Sequence, residues 1–215
     1  VSLRITAITI QKHNSSRCSV FVNGEFAFGC SIDIVERYAL RTGAELTAVL
    51  LDELKHHDDA LRTRQLAYAF IAFKPRTKHQ VRQRLIAKQC TPAHVEETLD
   101  LLEELGYLND KRYARMFIHD TLRRKHVGLE KIRTDLRSRG ISDYDIDDVL
   151  SDLVADEALS AQSRNNALAA ARKKFSVLAH KESDSYKQRQ ALRAYLHRKG
   201  FTRAEIDDAL REVFS

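Results

Sequence analysis

Glycine and proline are scarce in this chain, with 7 and 2 among 215 residues. The shortage disfavours β-sandwiches, glycine-rich phosphate loops and flexible linkers, and it favours long helices joined by short turns. Cysteine is equally sparse. Cys18, Cys30 and Cys90 are odd in number and none stands in a CxxC spacing. A disulfide framework or a structural zinc site is therefore not expected, and a reducing interior fits best. No apolar run approaches the roughly 18 residues of a transmembrane helix. The first residues show no basic stretch followed by a long apolar run, so no secretion signal is expected.

What is abundant is charge. The chain carries 36 Lys and Arg against 30 Asp and Glu, a formal net charge of +6. The layout is more informative than the total. Residues 1–60 balance at −2, residues 61–139 at +9, residues 140–160 at −7, residues 161–203 at +9 and residues 204–215 at −3.

Residues 4–29 read as β structure. Ile8 and Ile10, Val20 and Val22, and Phe26 and Phe28 give period-two apolar positions. Asn23-Gly24 predicts a hairpin, because both residues tolerate the positive φ of a type I′ turn. A polar loop over residues 13–17 would join the first two strands. Ile34, Val35, Tyr38, Ala39 and Leu40 then recur at helical spacing with Gly43 as the stop, and residues 45–55 read as a second short helix. A three-stranded meander with two helices would form a module over residues 1–60.

The remainder repeats itself. VRQRLIAKQCTPAHVEETLDLL from Val81, IRTDLRSRGISDYDIDDVLSDL from Ile132 and LRAYLHRKGFTRAEIDDALREV from Leu192 align through their middles. An apolar residue precedes a leucine by four positions (Val81/Leu85, Ile132/Leu136, Leu192/Leu196). Then come Cys90, Ile141 or Phe201, a cap at Thr91, Ser142 or Thr202, and apolar pairs Val95/Leu99, Ile146/Leu150 and Ile206/Leu210. This predicts helix, tight turn, helix, with Gly140 and Gly200 as left-handed helix stops and Gln89 in the matching place of the first copy. Pro92 suits a first helical position. Thr202 with Glu205 is a capping box, Ser142 with Asp145 its analogue, and Thr77 with Gln80 caps the preceding helix. An earlier helix completes each unit, over residues 61–73, 110–124 and 162–178. The expected fold is mainly α: tandem three-helix repeats over residues 61–109, 110–158 and 159–215, in an elongated, curved array behind a small α+β module.

The charge follows this repeat. The second helix is basic in every copy, with Lys78, Arg82, Arg84 and Lys88, then Lys131, Arg133, Arg137 and Arg139, then Lys187, Arg189, Arg193, Arg198 and Lys199. The third is acidic in every copy. Carboxylates in a first turn favour the helix dipole, which accounts for part of the pattern. A basic second helix three times over is not required by that chemistry, and it predicts a surface for a polyanion. The densest positive run is Arg123-Arg124-Lys125-His126, followed by Arg172-Lys173-Lys174. A solvated, solubilising face is the plain alternative for any single one of these cations. Nothing supports base-specific recognition, since zinc-finger spacing is absent and a helix–turn–helix is common in plain bundles.

Enzyme readings are poorer. Asp147-Asp148 and Asp207-Asp208 resemble acid–base or metal carboxylates, yet they recur in the first turns of capped helices, where solvated charge is the better account. His56, His57 and His79 have no partners at ligand spacing and read as surface or loop histidines. Cys90 occupies an apolar position and reads as core. No catalytic group, metal or cofactor is expected.

Tyr68-Ala69-Phe70, Lys74-Pro75-Arg76-Thr77, Val81-Arg82-Gln83-Arg84-Leu85 and the stretch from Leu102 through Gly106-Tyr107-Leu108-Asn109-Asp110 to Tyr113-Ala114 resemble the first unit of the RecX family. The stretch from Lys131 to Ser142 continues the resemblance. Gln11-Lys12 and Val20 to Gly29 resemble the extra domain of longer family members. The third copy departs most, with a longer linker over residues 179–185 and no Gly-Tyr-Leu turn. The resemblance implies a bacterial, cytoplasmic, non-enzymatic regulator that binds the RecA–single-stranded DNA filament and restrains its extension, ATPase and strand exchange. Single-stranded DNA, and for some members double-stranded DNA, are the further implied partners, with no membrane association and a monomeric state. On that footing the contact set is Lys74, Arg76, Lys78, Arg82, Arg84, Lys88, Arg123, Arg124, Lys125, Lys131, Arg133, Arg137, Arg172, Lys173, Lys174, Arg189 and Arg193. Tyr68, Phe70, Tyr107, Tyr113 and Phe117 match signature positions, and most of these aromatics are expected in the core. A standalone helical nucleic-acid-binding protein is the competing reading, for which the same basic stripe suffices.

Overall fold

A computed structural model describes residues 3–154 and 157–215. The chain begins with three antiparallel strands, β1 (Leu3–Gln11), β2 (Asn14–Val22) and β3 (Glu25–Ser31), followed by α1 (Ile32–Arg37) and a two-residue strand β4 (Glu45–Leu46). Two compact units follow from the contacts. One contains the residues up to Lys74 together with Val81–Glu104, and the other contains Pro75–Gln80 and Leu105–Ser215.

In the first unit the sheet order is β3-β2-β1-β4. The Asn23-Gly24 hairpin forms as expected, with φ of 52° and 88°. Four details differ from the sequence reading. The first two strands are joined by Lys12-His13 alone, so residues 14–17 belong to β2. The ladder slips between Ile5 and Ala7 and between Val20 and Phe21. The first slip leaves Ile5 buried and Ile10 63% exposed, and the second pairs Phe26 with Phe21 on the outer face, where their rings meet edge-on at 6.0 Å. Such bulges shift a strand's facing residues, which a period-two reading cannot register. Glu45–Leu46 is a fourth strand and not the start of a helix. Leu46 pairs with Leu3, and the Thr47 hydroxyl then accepts from Leu50 N–H to start α2 (Ala48–Ile71). Nor does Gly43 stop α1. Ala39, at φ 48°, makes that turn, and the Gly43 N–H donates to the Ile5 carbonyl at 2.8 Å.

Helix α2 is 24 residues long and runs through both helices expected over residues 45–55 and 61–73, with residues 60 and 61 inside it. No glycine or proline interrupts it. Its first half is pinned to the sheet by Asp58, which is 5% exposed. One carboxylate oxygen accepts from Arg17 Nη2 at 2.7 Å and the other from Ser31 N–H at 2.8 Å. The module core gathers Ile5, Val20, Val22, Phe28, Cys30, Ile34, Leu40, Leu46 and Leu54. Cys18 and Cys30 face each other across β2 and β3 as free thiols, and burial, with Asp58 nearby, pushes Cys30 up to about 11.

The three-helix sets continue with α3 (Lys78–Ala87) and α4 (Pro92–Glu104), then α5 (Asp110–Arg124), α6 (Leu129–Arg137) and α7 (Asp143–Val154), then α8 (Glu157–Leu178), α9 (Ser185–Arg198) and α10 (Arg203–Val213). Every aligned apolar row is buried in all three copies: Val81, Ile132 and Leu192, then Leu85, Leu136 and Leu196, and so on to Leu99, Leu150 and Leu210. Cys90 is buried with them. The Thr202–Glu205 capping box is complete, and Ser142 and Thr77 accept from the Asp145 and Gln80 N–H groups.

Within the second unit one contact recurs. The Thr77 hydroxyl donates to the Arg139 carbonyl at 2.7 Å, and the Gly128 N–H, at the aligned position, donates to the Lys199 carbonyl at 2.9 Å. Each start of a second helix thus lies against the left-handed glycine of the next copy's turn. A Cβ on Gly140 would stand 2.3 Å from His79 carbons, and one on Gly200 would stand 2.2 Å from the Lys131 amide nitrogen. Gln89 adopts the same left-handed backbone, φ 60°, but is exposed, and so tolerates a side chain. Gly106 has φ 72° with open space around it, which makes it a control. Gly106→Ala should cost only the left-handed penalty of about 1–2 kcal/mol. In urea unfolding, Gly200→Ala should cost more by about 1–3 kcal/mol of overpacking. Equal costs would mean that the turn is not packed.

Candidate polyanion-binding surface

The cations predicted to attract a polyanion divide according to what already neutralises them. In the first unit, Arg82 on α3 grips Glu96 on α4 with both Nε and Nη2 at 2.7 Å. Arg84 lies over the Phe70 ring at 5.6 Å. Lys74, past the end of α2, and Lys88, past α3, are exposed and have no ion pair among the described residues.

In the second unit, Arg133 on α6 meets Asp147 on α7 at 2.5 Å, and Arg193 on α9 meets Asp207 on α10 at 2.8 Å. These two pairs align with Arg82–Glu96, fourteen residues apart in each copy. One arginine of each basic second helix is thus ion-paired to the acidic third helix of its own repeat. The Glu96 hydrogen bond accordingly raises Arg82 above its ordinary value. The constant offset was readable in the sequence, and matching signs between the two helices would have found it.

Further cations of the predicted set are similarly engaged. Arg137 reaches Asp143 at 2.5 Å, Lys131 reaches Asp135 at 2.9 Å and Arg172 reaches Glu212 at 3.4 Å. Lys174 lies over Tyr195 and Arg189 over Phe214. Arg76 and Lys78 are half-buried beside Thr77, and the Lys78 N–H donates to Asp110 Oδ1 at 2.9 Å. Arg123, Arg124 and Lys125 stay together at the end of α5, all exposed. Among the described residues, only Arg124 of the three has an acidic neighbour, Asp120 at 4.0 Å. Lys173 on α8 is exposed, with no ion pair among the described residues. A run of cations at a helix C-terminus also offsets the dipole there.

The aspartate pairs are ion-paired rather than merely solvated. Asp148 accepts from Lys111 at 2.8 Å, Asp152 from Arg115 at 2.7 Å, and Asp208 pairs with Arg211. Among the described residues no group of three His, Cys, Asp or Glu side chains could hold a metal, and no helix is long and apolar enough to cross a membrane. The histidines are not loop residues. His56 and His57 lie inside α2, His57 beside the Tyr38 hydroxyl, and His79 packs on Gly140. His94, which the sequence reading passed over, is 3% exposed and meets the His56 ring at 4.4 Å. Of the signature aromatics, Tyr113 and Phe117 pack on the core, whereas Tyr68 is 38% and Tyr107 57% exposed.

Three-helix sets with internally repeated clamps, behind a small antiparallel sheet, define a helical-repeat protein of the RecX type. The chain matches the regulatory protein RecX N-terminal domain over residues 3–47. It matches the first, second and third RecX three-helix domains over residues 64–102, 109–150 and 162–210. It is 30% identical over 212 residues to the regulatory protein RecX of Clostridium botulinum strain Alaska E43, covering 99% of this chain and 97% of that one. The Clostridium beijerinckii protein of the same name is 28% identical over 212 residues, covering 99% and 96%. A crystal structure of regulatory protein RecX superposes with a TM-score of 0.72 at 21% identity, covering 95% and 97% of the two chains. RecX from Lactobacillus salivarius gives 0.64 at 22%, covering 73% and 97%. The chain belongs to the RecX family of regulatory proteins.

Two outcomes are expected. Replacing Arg123, Lys125 and Lys173 by Ala should lower the salt slope of oligo-dT binding by about 2, at roughly 0.7 per phosphate contact. Arg133→Ala should leave that slope in place and reduce stability, because its partner is Asp147. The Lys111 hydrogen bond holds the Asp148 carboxyl below its ordinary value. A depressed carboxyl contributes stability above its unfolded pKa and loses it as pH falls through the lower folded one. Asp148→Asn should therefore melt below the parent protein at neutral pH, and the two melting points should converge as the pH falls below the ordinary carboxyl range and the Asp148 carboxyl becomes protonated.

Proposed function

We propose that the protein binds the RecA–single-stranded DNA filament and restrains its extension, ATPase and strand exchange, without catalysing a reaction of its own. Membership of the RecX family carries this reading, and the cytoplasm is the compartment it requires. The exposed run at the end of α5 supports it: Arg123, Arg124 and Lys125 lie side by side with one distant acid among them. Lys74, Lys88 and Lys173 add exposed cations that no carboxylate among the described residues takes up. The contact set proposed for phosphate or acidic filament surface therefore contracts from seventeen residues to this smaller group. The clamp arginines hold the repeats that present it.

The test replaces Arg123, Arg124 and Lys125 together by Ala. Binding to bare single-stranded DNA and the ATPase of RecA filaments are then measured side by side. Loss of bare-DNA binding is expected, with at least a severalfold weaker inhibition of the ATPase. Inhibition that survives complete loss of bare-DNA binding would remove the standalone nucleic-acid-binding reading. Parent protein that leaves filament ATPase unchanged at saturation would remove the regulator reading.

A further inference from the structure

The three copies of the repeat act as controls for one another at the groove between the second and third helices. In the second copy this groove is closed by its own side chains, because Arg137 on α6 reaches across to Asp143, the first residue of α7, at 2.5 Å. The aligned positions of the first copy are Ile86 and Pro92, with no charge on either side. In the third copy they are His197 and Arg203. The acid that would close the groove has become a cation, and the residue facing it is cationic when protonated.

The groove is correspondingly open. It encloses about 730 Å³ and is lined at its base by Phe201 and Ile206, each 3% exposed. Arg193, Arg198 and Arg203 stand around it. Asp207 serves two of them, Arg193 at 2.8 Å and Arg203 at 3.8 Å. Arg203 is itself 90% exposed. Glu130 stands at one wall, where Arg133 lies 3.8 Å from its carboxylate. The cations thus outnumber the acids around an apolar base.

We propose that the groove between α9 and α10 takes an acidic peptide segment from a partner protein. One carboxylate occupies the place that Asp143 fills in the second copy, between His197 and Arg203, and an adjacent aliphatic side chain covers Phe201 and Ile206. Charge complementarity sets the sign of the ligand, and the second copy shows the bond it makes. A nucleic-acid strand fits less well. The bond of the second copy is made to a carboxylate, and the Phe201 ring lies flush in the core and offers no face on which a base could stack. The inference does not rest on the filament reading, and the peptide binding it predicts is detected without RecA.

The probe is a short fluorescein-labelled peptide of aspartate and glutamate with one central leucine, titrated with the full chain by fluorescence anisotropy. Saturable binding is expected. Arg203→Asp, which restores the acid of the second copy, should weaken binding at least about tenfold, the usual effect of losing a charge-assisted hydrogen bond and meeting a like charge. Arg203→Lys should stay within about threefold of the parent, since it keeps the charge. Replacing the leucine of the probe by serine should also weaken binding. Absence of saturable binding would overturn the proposal, as would equal affinity in Arg203→Asp. An oligo-dT that is sensitive to Arg203→Asp while the peptide is not would assign the groove to nucleic acid instead.

Discussion

A helix start pressed against a left-handed glycine turn is the constraint on which the second unit depends. Thr77 and Gly128 each donate a hydrogen bond to a carbonyl one residue before such a glycine, at Arg139 and Lys199. The approach leaves no room for a Cβ on Gly140 or Gly200. Helix C-termini often end in a left-handed glycine for conformational reasons alone. Here the glycine has a second duty, since its bare backbone is a docking surface. The first copy's turn adopts the same conformation with Gln89, so conformation alone does not demand glycine. Close approach does.

The same triplication explains the charge. A protein with two strongly basic stretches invites a reading in which both face an anionic partner. In the folded chain, Glu96, Asp147 and Asp207 take up Arg82, Arg133 and Arg193 before any partner arrives. Exposed pairs of this kind contribute about 0–1 kcal/mol each. Their larger effect is on availability, because a clamped arginine must be released before it can meet a phosphate. The exposed cations with no such carboxylate among the described residues include Arg123 and Lys125 at the end of α5 and Lys88 past α3.

Much of the fold was legible because it is periodic. Three copies of one apolar pattern identified the helical pairs, and the caps at Thr77, Ser142 and Thr202 set their starts. The N-terminal module was read less well for local reasons. A bulge turned Phe26 outward, a two-residue strand was hidden in an apparently helical stretch, and Asp58 gave no sign that it would be buried against Arg17. Of the candidate site, its basic character was readable, and so was the constant fourteen-residue offset of the three clamps, but the pairings outside that pattern were not. Lys131 has Asp135 at 2.9 Å one turn along its helix, whereas Lys125, just past a helix end, has no carboxylate partner among the described residues.

Helix α2 has a practical consequence. Its first half is tied to the sheet through Leu54 and Asp58, and its second half buries Thr63 and Ala67. At 1.5 Å per residue it is a rod about 36 Å long that serves two neighbourhoods at once. A chimera that exchanges the N-terminal module for a relative's, joined where the composition changes near residue 60, would splice two half-helices whose facing residues were set by different cores. The natural seams lie at Thr47, where the backbone is extended, or beyond Ile71.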